Sequence, residues 1–387
     1  MNTAAEAVSD RTPSLARFVL YFLKLGTFGF GGPIALAGYM QHDLVDQRKW
    51  ITREDYLDGL ALAQLAPGPL AAQLAMYLGY VRAGFIGATA VGVAFILPSF
   101  VMVLAIALAY VRFGGLPWMQ SAFYGIGAAV IGIICRSAVK LAKLTLGKDK
   151  LLWAIFAALA ISTAWSEREI IWLFLLGGLI ALAVKSIPVR RIASAAPAGM
   201  LVLGSLAGFG KFGDLFLYFA KAGMFVFGSG LAIVPFLYGG VVQGHHWLTD
   251  QQFVDAVAVA MITPGPVVIT VSFIGYLVAG FGGATAAALG VFAPVYLVVV
   301  ILAPYYKRFA RNSQLHAFVQ GVTAAAAGAI AGAVIVLARR SVYDAGTAVI
   351  ALVSLGVLLR WKIPEPVIII LAAAAGLALH PAALFFH

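Results

Sequence analysis

The chain has 387 residues, 63% of them hydrophobic and 11% charged, and a net charge of +11. A soluble domain carries about 25% charged residues, and the apolar blocks here exceed the ~20 residues that cross a bilayer, which excludes a soluble globular fold. The basic residues fall mainly in short segments between those blocks, as the positive-inside rule produces, so the charge reports membrane orientation and not a nucleic-acid partner.

In chain order, residues 1–13 form a polar tail without the apolar run and cleavage site of a signal peptide. A first repeat, 14–185, opens with two segments broken where a membrane helix should continue. These are GFGGP (29–33) and the APGP inside LALAQLAPGPLAAQLAMYLGY (60–80). Both predict re-entrant or discontinuous hairpins. Crossings are expected near 85–111, 118–135, 151–165 and 169–185. The stretch 186–210 is a linker (SIPVRRIASAAP) with one crossing near 196–210. A second repeat, 211–387, predicts hairpins near 214–240 and 255–278. Its crossings are expected near 281–303, 315–338, 345–359 and 364–380.

The second repeat copies the first. KWITREDYLDGLALAQLAPGP aligns with HWLTDQQFVDAVAVAMITPGP, pairing Trp50 with Trp247, Asp58 with Asp255 and Gly68 with Gly265 at a constant shift of 197. One residue is then lost, and GYVRAGFIGA (79–88) aligns with GYLVAGFGGA (275–284). Loop charge largely swaps between equivalent positions. Arg48, Lys49 and Arg53 of the first half face a stretch from 222 to 306 without Lys or Arg, whereas Arg112 stands alone where the second half has Lys307, Arg308 and Arg311. Opposite orientation requires such a swap, and Arg339 and Arg340 are the exception. The expected fold is an all-α polytopic membrane protein of two homologous, inverted repeats with discontinuous helices.

Helix-interior proline costs ~3 kcal/mol or more, and non-helical backbone survives in a bilayer only when buried in protein or lining a wet cavity. A break that ends one half-helix and begins another creates an N-terminus with unspent amide donors and a partial positive charge, which suits an anion. Proline is tolerated at a first helical position, and glycine allows a ligand to approach. The candidate binding positions are therefore Gly31, Gly32, Pro33, Pro67, Gly68 and Pro69 in the first repeat, and Gly228, Ser229, Gly230, Pro264, Gly265 and Pro266 in the second. The alternative is that each PGP merely kinks packed helices.

Gln64, Gln73, Thr263 and Thr270 flank the breaks and are candidate ligands or interhelical hydrogen-bond partners. Lys24 and Lys221 are matched cations in apolar surroundings, either functional or snorkelling to an interface. Arg82, paired with Val278, reads as an interface residue before a ligand. Asp58 and Asp255 either carry a proton or cap a helix. Trp50 and Trp247 read as interface anchors. With no Walker sequence, HExxH or Cys/His cluster, no metal or other cofactor is expected. The single Cys135 permits no internal disulfide.

The segments FGFGGPIALAGY, QRKWIT, QLAPGPLAAQLAMYLGYVRAGFIGA and the TPGP copy together resemble the chromate ion transporter family in its long, two-domain form. That resemblance implies a proton-driven carrier of the bacterial inner membrane that exports chromate, with sulfate as a chemical analogue. It places family motif positions at Gly31, Gly32, Pro33, Gln64, Pro67, Gly68, Pro69, Gln73 and Arg82. The pattern departs at Leu36, where many members have His. The expected partners are the oxyanion, protons and lipid, with a homodimer by analogy to other inverted-repeat carriers. A carrier of sulfate or another small anion is the alternative, followed by an integral-membrane enzyme or a passive channel.

Overall fold

The computed structural model describes residues 13–113, 117–166, 171–185, 210–224, 226, 230, 233–305, 312–361 and 363–379. The expected linker and crossing at 186–209 and the candidates Gly228 and Ser229 lie outside the described residues.

The first repeat begins with α1 (Leu15–Phe28) and α2 (Gly32–Met40), the latter running into one π-helical turn, Gln41–Gln47. The two helices are antiparallel arms of one hairpin, because the Tyr21 hydroxyl reaches the carboxylate of Asp43 at 3.1 Å and the Tyr39 carbonyl at 3.3 Å. The tip lies at Gly29–Gly31, where Gly31 has φ of 107° and Pro33 opens α2. Next come α3 (Arg53–Leu65) and α4 (Leu70–Phe113). The Thr52 hydroxyl accepts from the Asp55 amide at 3.0 Å to start α3, and Glu54 and Asp55 complement its dipole. Because Pro67 disfavours helical geometry in the residue before it, Ala66 is extended (φ −82°, ψ 143°) and α3 ends there.

Helix α4 is two arms. Ala83 (φ −154°) and Gly84 (φ 57°) leave helical geometry, and the chain folds back so closely that a Cβ on Gly79 or Gly87 would overlap the other's carbonyl oxygen. The short arm, 70–82, pairs with α3 as a second hairpin with Pro67–Gly68–Pro69 at its tip, since Gly59 sits against the ring of Tyr77. The long arm, 85–113, is a full crossing. Three helices complete the repeat: α5 (Pro117–Leu146), α6 (Lys150–Ser166) and α7 (Ile171–Lys185). Asp149, between α5 and α6, takes a hydrogen bond from Lys185 at 2.6 Å, which holds its carboxyl below the usual carboxylate range.

The second repeat retraces this plan with α8 (Gly210–Met224), α9 (Ile233–Leu237) and a π-turn at Tyr238–Gly244. Then follow α10 (Asp250–Ile262), α11 (Thr270–Leu302), α12 (Ser313–Ser341), α13 (Ala345–Arg360) and α14 (Glu365–Leu379). The Tyr218 hydroxyl bonds the Phe236 carbonyl at 3.0 Å as Tyr21 does that of Tyr39. Ala279 and Gly280 break α11 at φ −146° and 63°, a copy of the break in α4. Thr249 and Gln252 close a capping box on α10, so Thr52 and Thr249 are the N-caps. The capping role expected of Asp58 and Asp255 is corrected accordingly.

Among the described residues four helical stretches are long and apolar enough to cross a membrane: Leu70–Phe113, Trp118–Leu146, Val267–Tyr305 and Ser313–Ser341. The long arms of α4 and α11 pack across the halves, with the Thr89 and Tyr296 hydroxyls 2.7 Å apart and the Phe100 and Phe281 rings in edge contact. Residue 89 meets 296 while residue 100 meets 281, so these equivalent helices run antiparallel. The repeats are inverted. A leucine at Gly87 has no room against the Gly79 carbonyl, and overpacking of this kind costs ~1–3 kcal/mol or more. Gly87→Leu is expected to abolish the monodisperse size-exclusion peak in detergent, while Gly356→Leu, at a helix position with open space beside it, leaves the peak unchanged.

Candidate functional site at the hairpin tips

The four tips meet at the pseudo-twofold axis. The Gly68 amide donates to the Val226 carbonyl at 2.7 Å, and the Gly265 amide donates to the Gly29 carbonyl at 2.9 Å. Val226 stands in the second repeat where Gly29 stands in the first, so the two bonds are reciprocal. Each PGP glycine fastens its hairpin to the first hairpin of the opposite half. An unmade backbone bond at this depth costs several kcal/mol, so the exchange ties the halves together at their centre.

The chain geometry at each tip follows from the tripeptide. Gly68 has φ of 139° and Gly265 has φ of 95°, a region closed to most side chains. Thr263, extended before Pro264 as Ala66 is before Pro67, ends α10. Pro266 then leads into a 3-10 turn, Val267–Ile269, which starts the short arm of α11. The long arm of the other half helps to fill the space around each glycine. A Cβ on Gly68 would meet Val295 Cγ2 at 2.9 Å and Gln73 Nε2 at 2.7 Å, and one on Gly265 would overlap Ser99 Oγ. Val295 and Ser99 are themselves equivalents, each following the in-helix proline of its long arm, Pro294 or Pro98.

Several expected site residues converge here. Gln73 is wholly buried, and its Nε2 donates to the Pro67 carbonyl at 2.8 Å and the Ala66 carbonyl at 3.3 Å, bracing the tip. Thr263 and Thr270 are buried, with hydroxyls turned back to Val259 at 3.0 Å and Val267 at 2.9 Å. Gly230 is buried between the tips, and a Cβ there would meet Val267 at 3.4 Å and Pro33 at 3.7 Å. Gln64 is exposed at the last turn of α3, as is Gly31, with Gly32 and Pro33 half-buried. Leu36 is buried at the first tip, where a Cβ on Gly29 would meet its Cδ2 at 2.6 Å.

Other candidates lie elsewhere. Arg82 sits at the bend of α4 and donates from Nη2 to the Pro13 carbonyl, which puts it at the membrane face where α1 begins, far along the hairpin from the tip. Lys24 is exposed and Lys221 half-buried on the arms of the first hairpins. Trp50 lies under Arg48 at 4.7 Å and Trp247 stacks on His245 at 4.4 Å, each after its π-turn. Asp58 is half-buried. Asp255 is 2% exposed and accepts from the Tyr110 hydroxyl at 2.8 Å and Gln251 Nε2 at 2.9 Å. Tyr110 ends the long arm of the other half, so this carboxylate also bridges the repeats. Its tyrosine partner carries no signal in the sequence. An open pocket of about 890 Å³ lies at the start of α10, lined by His246, Trp247, Thr249 and the Asp250–Arg340 ion pair. Among the described residues no group of three His, Cys, Asp or Glu side chains could hold a metal ion.

The family described as "Chromate transporter" matches the chain twice, at residues 16–182 and 213–377, once in each half. The chain belongs to the chromate transporter family. A chromate transport protein of Cupriavidus metallidurans is 58% identical across 98% of this chain and 97% of its own length. A probable chromate transport protein of Synechococcus elongatus is 54% identical across 94% of this chain and 95% of its own, and a chromate transport protein of Pseudomonas aeruginosa is 31% identical across 97% and 95%. No solved structure matches. This member of the chromate transporter family is thus a multi-pass membrane transport protein of two inverted repeats whose broken helices meet at the centre.

The tip geometry yields a direct test. Gly68→Ala combines the strain of a left-handed backbone, roughly 1–2 kcal/mol, with an overlap against Val295 and Gln73. It is expected to lower the melting temperature in detergent, and adding Val295→Ala is expected to restore part of the loss, measured by thermal unfolding of the purified chain.

Proposed function

We propose that this protein is a secondary carrier that exports chromate across the bacterial inner membrane in exchange for protons, binding the oxyanion between the four hairpin tips. The observation that carries the reading is the reciprocal pair of glycine amide bonds at those tips. It brings together helix N-termini from both halves, the geometry by which discontinuous transporter helices hold anionic substrates. A tetrahedral dianion presents oxygens on every side. Entering between the tips, it takes the place of the Gly29 and Val226 carbonyls as acceptor for the Gly265 and Gly68 amides. The amides of Leu70, Ala71 and Ala72 and of Val267 and Val268, at the starts of the two short arms, add donors that precede any helical acceptor. Binding and parting of the halves are then one event, and the tips close on each other again once the anion leaves.

Asp255 supports the proton half of this reading. It is a buried carboxylate within reach of a hydroxyl and an amide from two helices, and ionisable groups inside membrane helices mark ion and proton paths. Asp58 is its counterpart near the opposite face. Basic residues weight the face bearing Arg48, Lys49, Arg53, Lys143, Lys148 and Lys150, which makes that face cytoplasmic and puts Asp255 and the Asp250–Arg340 pair outside. A carrier of sulfate on the same fold is the second reading, because sulfate offers the same charge and shape.

Proteoliposomes with an imposed pH gradient test the cargo and the coupling together. Saturable chromate flux that follows the proton gradient is expected, with sulfate competing weakly. Asp255→Asn is expected to lose uphill accumulation while keeping chromate counterflow. Sulfate flux that chromate does not inhibit would replace chromate by the second reading. Orientation is checked in a Cys135→Ser background. An impermeant maleimide added to intact spheroplasts is expected to label Tyr343→Cys and to spare Lys148→Cys.

A further inference from the structure

Four buried side-chain atoms lack a hydrogen-bond partner among the described residues: Gln73 Oε1, Arg82 Nε, Ser99 Oγ and Ser272 Oγ. Arg82 lies at the membrane face. Gln73 and Ser99 both press on PGP glycines. A buried polar group left unpaired is costly, and each such group in a native fold needs a reason.

Ser99 is the sharper case. Hydroxyls on membrane helices usually bond the carbonyl four residues back, and here Thr27, Thr89, Thr285 and Thr323 do so at 2.7 to 3.0 Å. Ser99 does not, although it is 0% exposed. Its own carbonyl four residues back belongs to Phe95, and Gly26 of α1 is packed directly on that oxygen. The Ser99 side chain lies instead against Gly265, whose amide makes one of the two inter-repeat bonds. At the equivalent place in the other half stands Val295, which has no polar atom.

We infer that the Ser99 hydroxyl is a ligand for the transported oxyanion, donating to it beside the Gly265 amide. The inference rests on the oxyanion reading above and adds a residue to it. When the Gly265 amide leaves the Gly29 carbonyl for the anion, Ser99 is already in place as a second donor, and its unpaired state in the closed tips is the cost of that readiness. On the other side Val295 offers no hydroxyl, and the polar neighbour of Gly68 is Gln73, whose Nε2 donates to the Pro67 and Ala66 carbonyls.

The test is chromate flux in proteoliposomes together with thermal unfolding, using the full chain and its Ser99→Ala and Ser99→Thr variants. A hydrogen bond to a charged partner is worth roughly a tenfold or larger change in affinity. Ser99→Ala is expected to raise the chromate KM about 10-fold or more while melting at or above the wild-type temperature, because it removes an unsatisfied group. Ser99→Thr keeps a hydroxyl and is expected to stay within about threefold of wild type. The inference is overturned if Ser99→Ala transports with an unchanged KM, or if its KM rises only alongside a lower melting temperature, the signature of a packing role. If the wild-type chain moves no chromate and its flux of sulfate is insensitive to Ser99→Ala, the cargo reading and the Ser99 assignment both fall. Sulfate flux that Ser99→Ala weakens tenfold retains the assignment and changes only the cargo.

Discussion

Two backbone hydrogen bonds, Gly68 to Val226 and Gly265 to Gly29, join the halves where the bilayer offers no water to replace them. Much else in the tips is arranged so that these bonds can form. Proline on either side of the glycine removes competing amide donors and stops the incoming helix, and the left-handed glycine turns its amide out of its own hairpin. Valine or serine from the opposite long arm helps to fill the space that a side chain would have taken. The arms that present the tips are about 13 residues long, which at 1.5 Å per residue reaches roughly the middle of a bilayer. Depth and partner are thus set by the same lengths.

The architecture was largely legible because its signals are local. Breaks, apolar runs and the duplicated frame are properties of consecutive residues, and the crossing expected at 85–111 matches the long arm 85–113. Helix starts were legible in principle too. Thr249 with Gln252 three residues on is a capping-box pattern, yet the matched aspartates drew the capping role to themselves. What the sequence could not disclose is pairing across the fold. That the PGP amides answer carbonyls of the other repeat depends on a contact some 158 or 236 residues apart, from Gly68 to Val226 and from Gly29 to Gly265. The same holds for Tyr110 with Asp255 and for Ser99 beside Gly265. Arg82, which the sequence reads as an interface residue before a ligand, lies at the fold-back of Ala83 and Gly84 beside the start of α1.

The two halves share a backbone plan and differ in side chains. Gln64 is exposed where its counterpart Met261 is buried. Ser99 has Val295 as its counterpart, and half-buried Asp58 corresponds to an Asp255 enclosed by Tyr110 and Gln251. Symmetric backbone lets either face open by equivalent movements, and asymmetric side chains let the two faces differ in what they hold and release. A membrane transport protein has use for both properties.

The crossed amide bonds also make each repeat depend on the other. One repeat taken alone would carry two hairpin tips into the membrane interior with a glycine amide and a carbonyl that nothing in its own chain can satisfy. A second copy lying head down supplies both at once. The joined chain thus holds, as a covalent pair, two halves inserted in opposite senses, each completing the other.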